Sequence, residues 1–260
     1  MILREIIAHK KTEVAQRKKE FPLLDRKPQG KGQERLKKVL AQPGIALIAE
    51  VKKASPSKGV FLTDFDPVKI ACCYERAGAG AVSVLTESKY FQGSGDYLLK
   101  IKERVKIPIL RKDFIIDPYQ IYETGLLGAD ALLLIAGILE EEELHDFLLL
   151  ARSLGLDALV EVHCRAELEK AVRCGGEIIG INNRDLQTFQ TDLNTTRELA
   201  RLIPSHCLVV SESGISTAQD VRELARIGVN GILVGEALVT STDLESKIKE
   251  LLGGEQVGLD

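Results

Sequence analysis

Short apolar runs alternate with amphipathic stretches from about residue 45 onward. The runs are rich in Val, Ile, Leu and Ala and nearly continuous in hydrophobicity, as parallel strands covered by helices are. They predict strands at 46–51, 81–86, 108–112, 130–135, 157–162, 177–182, 207–211 and 230–234. The stretches between them predict helices. Residues 140–154 are the clearest, with Leu144, Phe147, Leu148 and Ala151 on one stripe. The run Glu140-Glu141-Glu142-Glu143 opens that stretch, where carboxylates complement a helix dipole. Gly78, Gly128 and Gly228 precede strands, in the manner of a helix C-cap followed by strand entry. Eight β–α units in succession predict an α/β fold, a (β/α)8 TIM barrel rather than an open doubly wound sheet.

The first 45 or so residues do not fit the repeat. Leu3, Ile6, Ile7 and Val14 predict one amphipathic helix. Leu36, Val39 and Leu40 predict another, after a connection at Lys27-Pro28-Gln29-Gly30. The expected organisation is an N-terminal helical extension over 1–45, packed on a barrel over 46–255, as one domain overall. The extension is basic, with Lys10, Lys11, Arg17, Lys18, Lys19, Lys31, Arg35, Lys37 and Lys38. Aromatics are scarce and the rest of the chain is acidic, which argues against a nucleic-acid arm. A solvated helix face on a lid that packs against the barrel is the expectation.

Composition changes this picture little. The chain has 260 residues, 45% of them hydrophobic and 28% charged, with a formal net charge of −3. These values suit a soluble globular protein with a full core. No apolar stretch approaches the ~18 residues of a membrane span. The Met1-Ile2-Leu3-Arg4-Glu5 start has neither an apolar signal core nor a cleavage site, so a cytoplasmic location is expected. Five cysteines with no C-x-x-C pair read as thiols packed like small hydrophobes. His163-Cys164 does not make a metal pair, because adjacent strand residues point to opposite faces. No metal is expected.

Six of the apolar runs end in residues that a buried strand should not tolerate: Glu50 and Lys52; Arg111, Lys112 and Asp113; Glu161; Asn182; Ser211 and Glu212; and Glu236. Burying a charge costs several kcal/mol unless it is paired or does chemistry. Charged tips on many strands therefore converge on one site, and in a barrel that site lies at the C-terminal strand ends. Glu50 and Lys52 stand two apart and share a face. Together with Lys112 and Glu161 they suit general acid–base chemistry, or else a salt-bridge layer across the barrel. Ser213-Gly214 after strand seven and Gly235-Glu236 after strand eight place glycines where barrels commonly bind phosphate. Asn182 suits a substrate hydroxyl. Arg184 suits a carboxylate or phosphate, or a pairing within its own loop. The turn-rich Ser55-Pro56-Ser57-Lys58-Gly59 reads as a loop that closes over a ligand. Tyr90-Phe91 reads as an apolar wall for an aromatic ring.

Taken together, several segments resemble the indole-3-glycerol phosphate synthase family. They are Ile48–Ser57, Leu85–Ser94, Leu110–Phe114, Leu159–His163, Ile179–Leu186 and Ser211–Ile215. The resemblance spans essentially the whole chain. It implies ring closure, decarboxylation and dehydration of 1-(2-carboxyphenylamino)-1-deoxyribulose 5-phosphate in tryptophan biosynthesis, with no cofactor. It implies Lys112 as the general acid on the ketone oxygen, with Glu161 and Glu50 handling protons, the latter with Lys52. Asn182 would orient the sugar hydroxyls and help hold Glu161. Ser213, Gly214, Gly235 and Glu236 would surround the phosphate, with Lys52 adding charge. Ser57, Phe91 and Arg184 would shape the anthranilate and loop side, and Glu212 is a further expected substrate contact. The expected partner is this small sugar-phosphate anthranilate, with neither nucleic acid nor membrane, and a monomer or weak homodimer as the assembly.

Three other readings compete. A Schiff-base aldolase would use Lys112 or Lys52 as nucleophile. A metal-dependent epimerase would need His and Asp ligands at strand ends, which the lone His163 does not supply. A non-catalytic barrel would bind a sugar phosphate or scaffold a complex.

Overall fold

Eight parallel strands close into a barrel, each paired with its sequence neighbours and the first with the last. The computed structural model describes residues 2–23, 34–62, 64–185 and 188–253. The expected connection at 27–30, Lys31, Leu186 and the expected end of the barrel at 255 lie outside them. The strands are β1 Ala46–Val51, β2 Ala81–Leu85, β3 Ile109–Lys112, β4 Ala131–Ile135, β5 Asp157–Val162, β6 Ile178–Asn182, β7 Leu208–Glu212 and β8 Gly231–Val234. Each lies within a residue of its sequence expectation. The helices are α1 Ile2–Glu20, α2 Arg35–Leu40, α3 Pro67–Arg76, α4 Gly95–Lys102, α5 Pro118–Leu126, α6 Glu141–Ser153, α7 Arg165–Arg173, α8 Asn194–Leu199, α9 Ala218–Arg226, α10 Glu236–Val239 and α11 Leu244–Leu251. None of the described helices is long and apolar enough to cross a membrane.

Local chemistry sets the element ends. Asp66, Ser94, Asp117 and Asp243 cap α3, α4, α5 and α11 by accepting backbone N–H bonds. Glu143 reaches back to the Glu140 amide at the start of α6 (2.9 Å). Gly78, Gly128 and Gly228 take φ of 101°, 78° and 84°, the left-handed region that ends a helix and that glycine enters without strain.

Alternation along each strand sorts two cores. Outward-facing residues such as Ala49, Val82, Leu132 and Val160 pack under the helices. Inward-facing Ile48, Ala81, Leu110, Leu159, Ile178 and Val210 fill the lower barrel. Leu36 and Leu40 of α2 join them, fully buried, so α2 plugs the N-terminal end. Burying each is worth roughly 1.5–3 kcal/mol. Asp157, at the start of β5, anchors the plug by accepting the backbone N–H groups of Leu36 (2.8 Å) and Lys37 (3.2 Å).

At the other end, α1 does not carry an entirely solvated basic face as expected. Lys10 is only 1% exposed. Its ammonium sits 2.9 Å from Asp113 Oδ1 and 2.9 Å from Glu13 Oε2. Asp113 also takes Thr86 Oγ1 (2.7 Å) and Arg111 (3.1 Å), and Arg111 reaches Glu123 on α5 (2.7 Å). A continuous buried charge network thus ties α1 to β3 and α5. A lysine stem is long enough to reach across such an interface while its head finds carboxylates. The network corrects one expectation about strand tips. Arg111 points away from the barrel mouth, and so does Ser211, which meets Asn183 and Thr196. Adjacent strand residues cannot both face the lumen.

Candidate active site

The inward rows that begin with core residues end in charge. Two residues above Ile48 comes Glu50, above Leu110 comes Lys112, above Leu159 comes Glu161, and above Val210 comes Glu212. Asn182 stands two above Gly180 in the same way. All face a cavity of about 460 Å³ at the C-terminal mouth. At its floor Lys112 Nζ lies 3.1 Å from Glu161 Oε2 and 3.1 Å from Glu212 Oε2. Lys52 Nζ lies 2.8 Å from Glu50 Oε1. The sequence foresaw the pairing on β1; the wedge of Lys112 between two carboxylates needed the register of three strands.

Electrostatics separate these groups. Burial works against the Lys112 charge, but Glu212, Glu161 and Glu50 outweigh it and hold the amine well above its ordinary value. Burial raises Glu212, and the nearby Glu161 and Glu50 carboxylates reinforce it against the pull of Lys112, so Glu212 is pushed up to about 7. Burial would raise Glu161 too, yet Lys112, His163 and a hydrogen bond from Asn182 hold it well below the usual carboxylate range. One lysine between two carboxylates pushed in opposite directions is an arrangement able to divide acid and base roles.

The cavity walls are apolar. Leu85, Phe91, Phe114, Leu133, Ile135 and Leu233 line it, and Ile2, Leu3 and Ile6 of α1 roof it. Phe91 and Phe114 lie 6.2 Å apart at 40° and pack on each other, making one aromatic face on the cavity wall. Tyr90, expected beside Phe91 in this wall, instead meets His9 of α1 edge-on at 6.3 Å. The loop after β1 folds into a small hairpin, Ala54–Ser55 against Gly59–Val60, and lays Ser55, Pro56 and Ser57 along the rim.

The opposite rim is made of turns. Ser213 and Gly214 take successive positive φ of 67° and 78°, a conformation costly for serine that bares backbone N–H groups. Asn183, which sequence reasoning passed over, braces this turn. Its side-chain amide donates to Ser211 Oγ (3.0 Å), Glu212 O (2.9 Å) and Ser213 O (3.0 Å). Gly235 closes the rim from β8. Arg184 does not pair within its own loop alone: it donates to Phe189 O (3.2 Å) and reaches Glu236 Oε2 (3.2 Å), while Lys58 bonds the other Glu236 oxygen. Arg184 thus lines the cavity and is joined to the glycine rim through Glu236, next to Gly235 in the chain. Burial works against Glu236, but these cations hold it below the usual carboxylate range.

Residues 3–251 match the model of the family described as indole-3-glycerol phosphate synthase. The chain is 50% identical to an indole-3-glycerol phosphate synthase of Thermoanaerobacter pseudethanolicus, over 98% of this chain and 100% of that one. It is 56% identical to the enzyme of that name from Dehalococcoides mccartyi, over 80% of this chain and 82% of the relative. The chain belongs to the indole-3-glycerol phosphate synthase family. The match takes in α1 and α2 as well as the barrel, so the helical extension is part of what this synthase family shares. Solved structures support the fold alone. A 3-hexulose-6-phosphate synthase from Salmonella typhimurium aligns with TM-score 0.63 at 14% identity, over 80% of this chain and 96% of that one. A variant tryptophan synthase α-subunit from Pyrococcus furiosus aligns with TM-score 0.61 at 17% identity, over 80% and 98%.

Proposed function

We propose that this chain is a decarboxylating carbon–carbon lyase that closes the indole ring. Its substrate is 1-(2-carboxyphenylamino)-1-deoxyribulose 5-phosphate, and its products are indole-3-glycerol phosphate, CO2 and water. The observation that carries the reading is Lys112, wedged between Glu161 and Glu212 at the floor of an apolar-walled cavity. The anthranilate ring lies against Phe91 and Phe114, with Ser57 on the rim above. The phosphate lies toward the turns at Ser213-Gly214 and Gly235-Glu236, with Lys52 and Arg184 supplying charge.

In this pose the ring carbon that bears the carboxylate attacks the ketone carbon. Lys112, held as an ammonium, protonates the ketone oxygen as the C–C bond forms. CO2 then leaves and returns its bonding electrons to the ring. The new hydroxyl leaves as water after taking a proton, and the ring CH2 gives a proton to a carboxylate. Glu161 is the acceptor, because Lys112, His163 and Asn182 hold it ionised, well below the usual carboxylate range, whereas Glu212 is pushed up. Glu50 works beside Lys52 in the dehydration, and Asn182 steadies Glu161. Glu212, pushed up to about 7, shares its proton with the site near neutrality. The charged state of Lys112 counts against the Schiff-base alternative, since a nucleophilic lysine must be neutral.

The test is a fluorescence assay for the indole product with this substrate. The chain has no tryptophan, so protein background at indole wavelengths is low. Rising indole emission, with product mass matching loss of CO2 and water, is expected. No emission from folded protein sinks the reading.

A further inference from the structure

His163 follows β5 at its C-terminal end and takes no part in the steps above, yet it touches the site. Its Nε2 lies 3.3 Å from Glu161 Oε1, an ion-pair contact too oblique to be a good hydrogen bond. Its Nδ1 lies 3.1 Å from Glu167 Oε2 on α7, and the same oxygen accepts the His163 backbone N–H at 2.7 Å. The ring is thus gripped at backbone and side chain by one carboxylate and aimed at another. The consequence is an asymmetry at the floor. Glu161 has Lys112 on one oxygen and His163 on the other. Glu212 has Lys112 on one oxygen only, and its Oε1 is buried with no hydrogen-bond partner among the described residues.

We propose that His163, held by Glu167, is a positioning residue that keeps Glu161 the ionised member of the carboxylate pair flanking Lys112. This rests on the synthase reading and deepens it by assigning base and acid between two otherwise similar glutamates. A cation on Glu161 favours its charged form and repays the burial of that charge. Burial works against the imidazolium itself, but Glu161 and Glu167 outweigh it and push His163 up to about 10. The charges that face this pair from neighbouring elements are Lys112 on β3, Glu212 on β7 and Glu50 on β1. Arg4 of α1, with Arg184, Asp185 and Asp192 after β6, lines the cleft that His163 and Glu167 share. The imidazole's two ion-pair contacts are to Glu161 and Glu167, which lie nearest its charge.

Without His163 the Glu161 carboxyl rises, and a step that needs the carboxylate is lost at a higher pH. The experiment records kcat against pH from 5 to 9 for the full chain, His163→Asn and Glu167→Gln. In the unaltered chain the proton taken up near 7 sits on Glu212 and the Glu161 limb lies below this range; in His163→Asn that proton is shared with Glu161, so the acid limb is expected to rise into the range and lower kcat at pH 6 by about twofold or more relative to pH 8, with KM at pH 8 changed less than about twofold. Glu167→Gln, which leaves the ring in place but loosens its grip, should move the limb the same way by less. Limbs that coincide with the wild type in both variants overturn the proposal, as does an equal loss of kcat at every pH. Imidazole nitrogen NMR of the unaltered protein gives a second readout that needs no variant. One of the four histidines should carry protons on both nitrogens at pH 8; four singly protonated rings overturn the proposal. A wild-type chain with no turnover at any pH would instead overturn the synthase reading itself.

Discussion

A Cβ on Gly180 would collide with Glu212 Oε1, and one on Gly235 would collide with Glu50 Oε1. Two glycines on the barrel wall thus make the room in which two site carboxylates sit. Gly180→Ala should drive Glu212 off Lys112 while leaving the strand intact. The expected result is a folded protein with kcat lower by about tenfold or more, because acid–base geometry must hold to within hydrogen-bond reach; unchanged kcat would show that Glu212 has slack. The charged residues of the floor were legible in the sequence because each stands two places beyond an apolar residue on the same face. Asn183 was not, because its neighbour Asn182 took the lumen-facing position and the brace it makes to Ser211, Glu212 and Ser213 joins two strands. His163 was read only as a metal ligand and set aside; its partner Glu167 is close only once α7 folds back over β5.

At the scale of elements, α1 is fixed to the barrel by charge as much as by its apolar stripe. Lys10 reaches Asp113, which is flanked in sequence by the catalytic candidate Lys112 and by the wall residue Phe114. Lys10→Met removes one partner of a buried pair. The cost should be roughly 3 kcal/mol, at the low end for such losses because Arg111 and Thr86 still hold Asp113. Thermal unfolding should then fall by roughly 6–12 °C; an unchanged Tm would mean the network contributes nothing net. Strand and helix positions were legible from periodicity, since buried parallel strands and amphipathic helices carry distinct patterns. The small hairpin at 54–60 was not, because its pairing is too short to leave a pattern in so polar a segment. The charge network was misread as a solvated face, because sequence shows a lysine but not the carboxylate that buries it.

The whole molecule is a barrel closed at both ends by segments that precede it. Below, α2 plugs the lumen with Leu36 and Leu40; above, α1 roofs the cavity with Ile2, Leu3 and Ile6. The plug serves stability and the roof serves the site, so changes in them should separate. Leu36→Ala should lower Tm through a cavity worth roughly 3 kcal/mol while leaving kcat at 25 °C within about twofold; a large loss of kcat in folded protein would show that the two ends are coupled. The central claim remains that Lys112 is the acid of ring closure. The most direct test is turnover of the carboxyphenylamino-deoxyribulose phosphate by Lys112→Ala, after the variant's fold and its binding of the substrate are verified. The account predicts that kcat falls by about 10²–10⁴-fold with substrate still bound. A folded Lys112→Ala that turns over near the wild-type rate would contradict it.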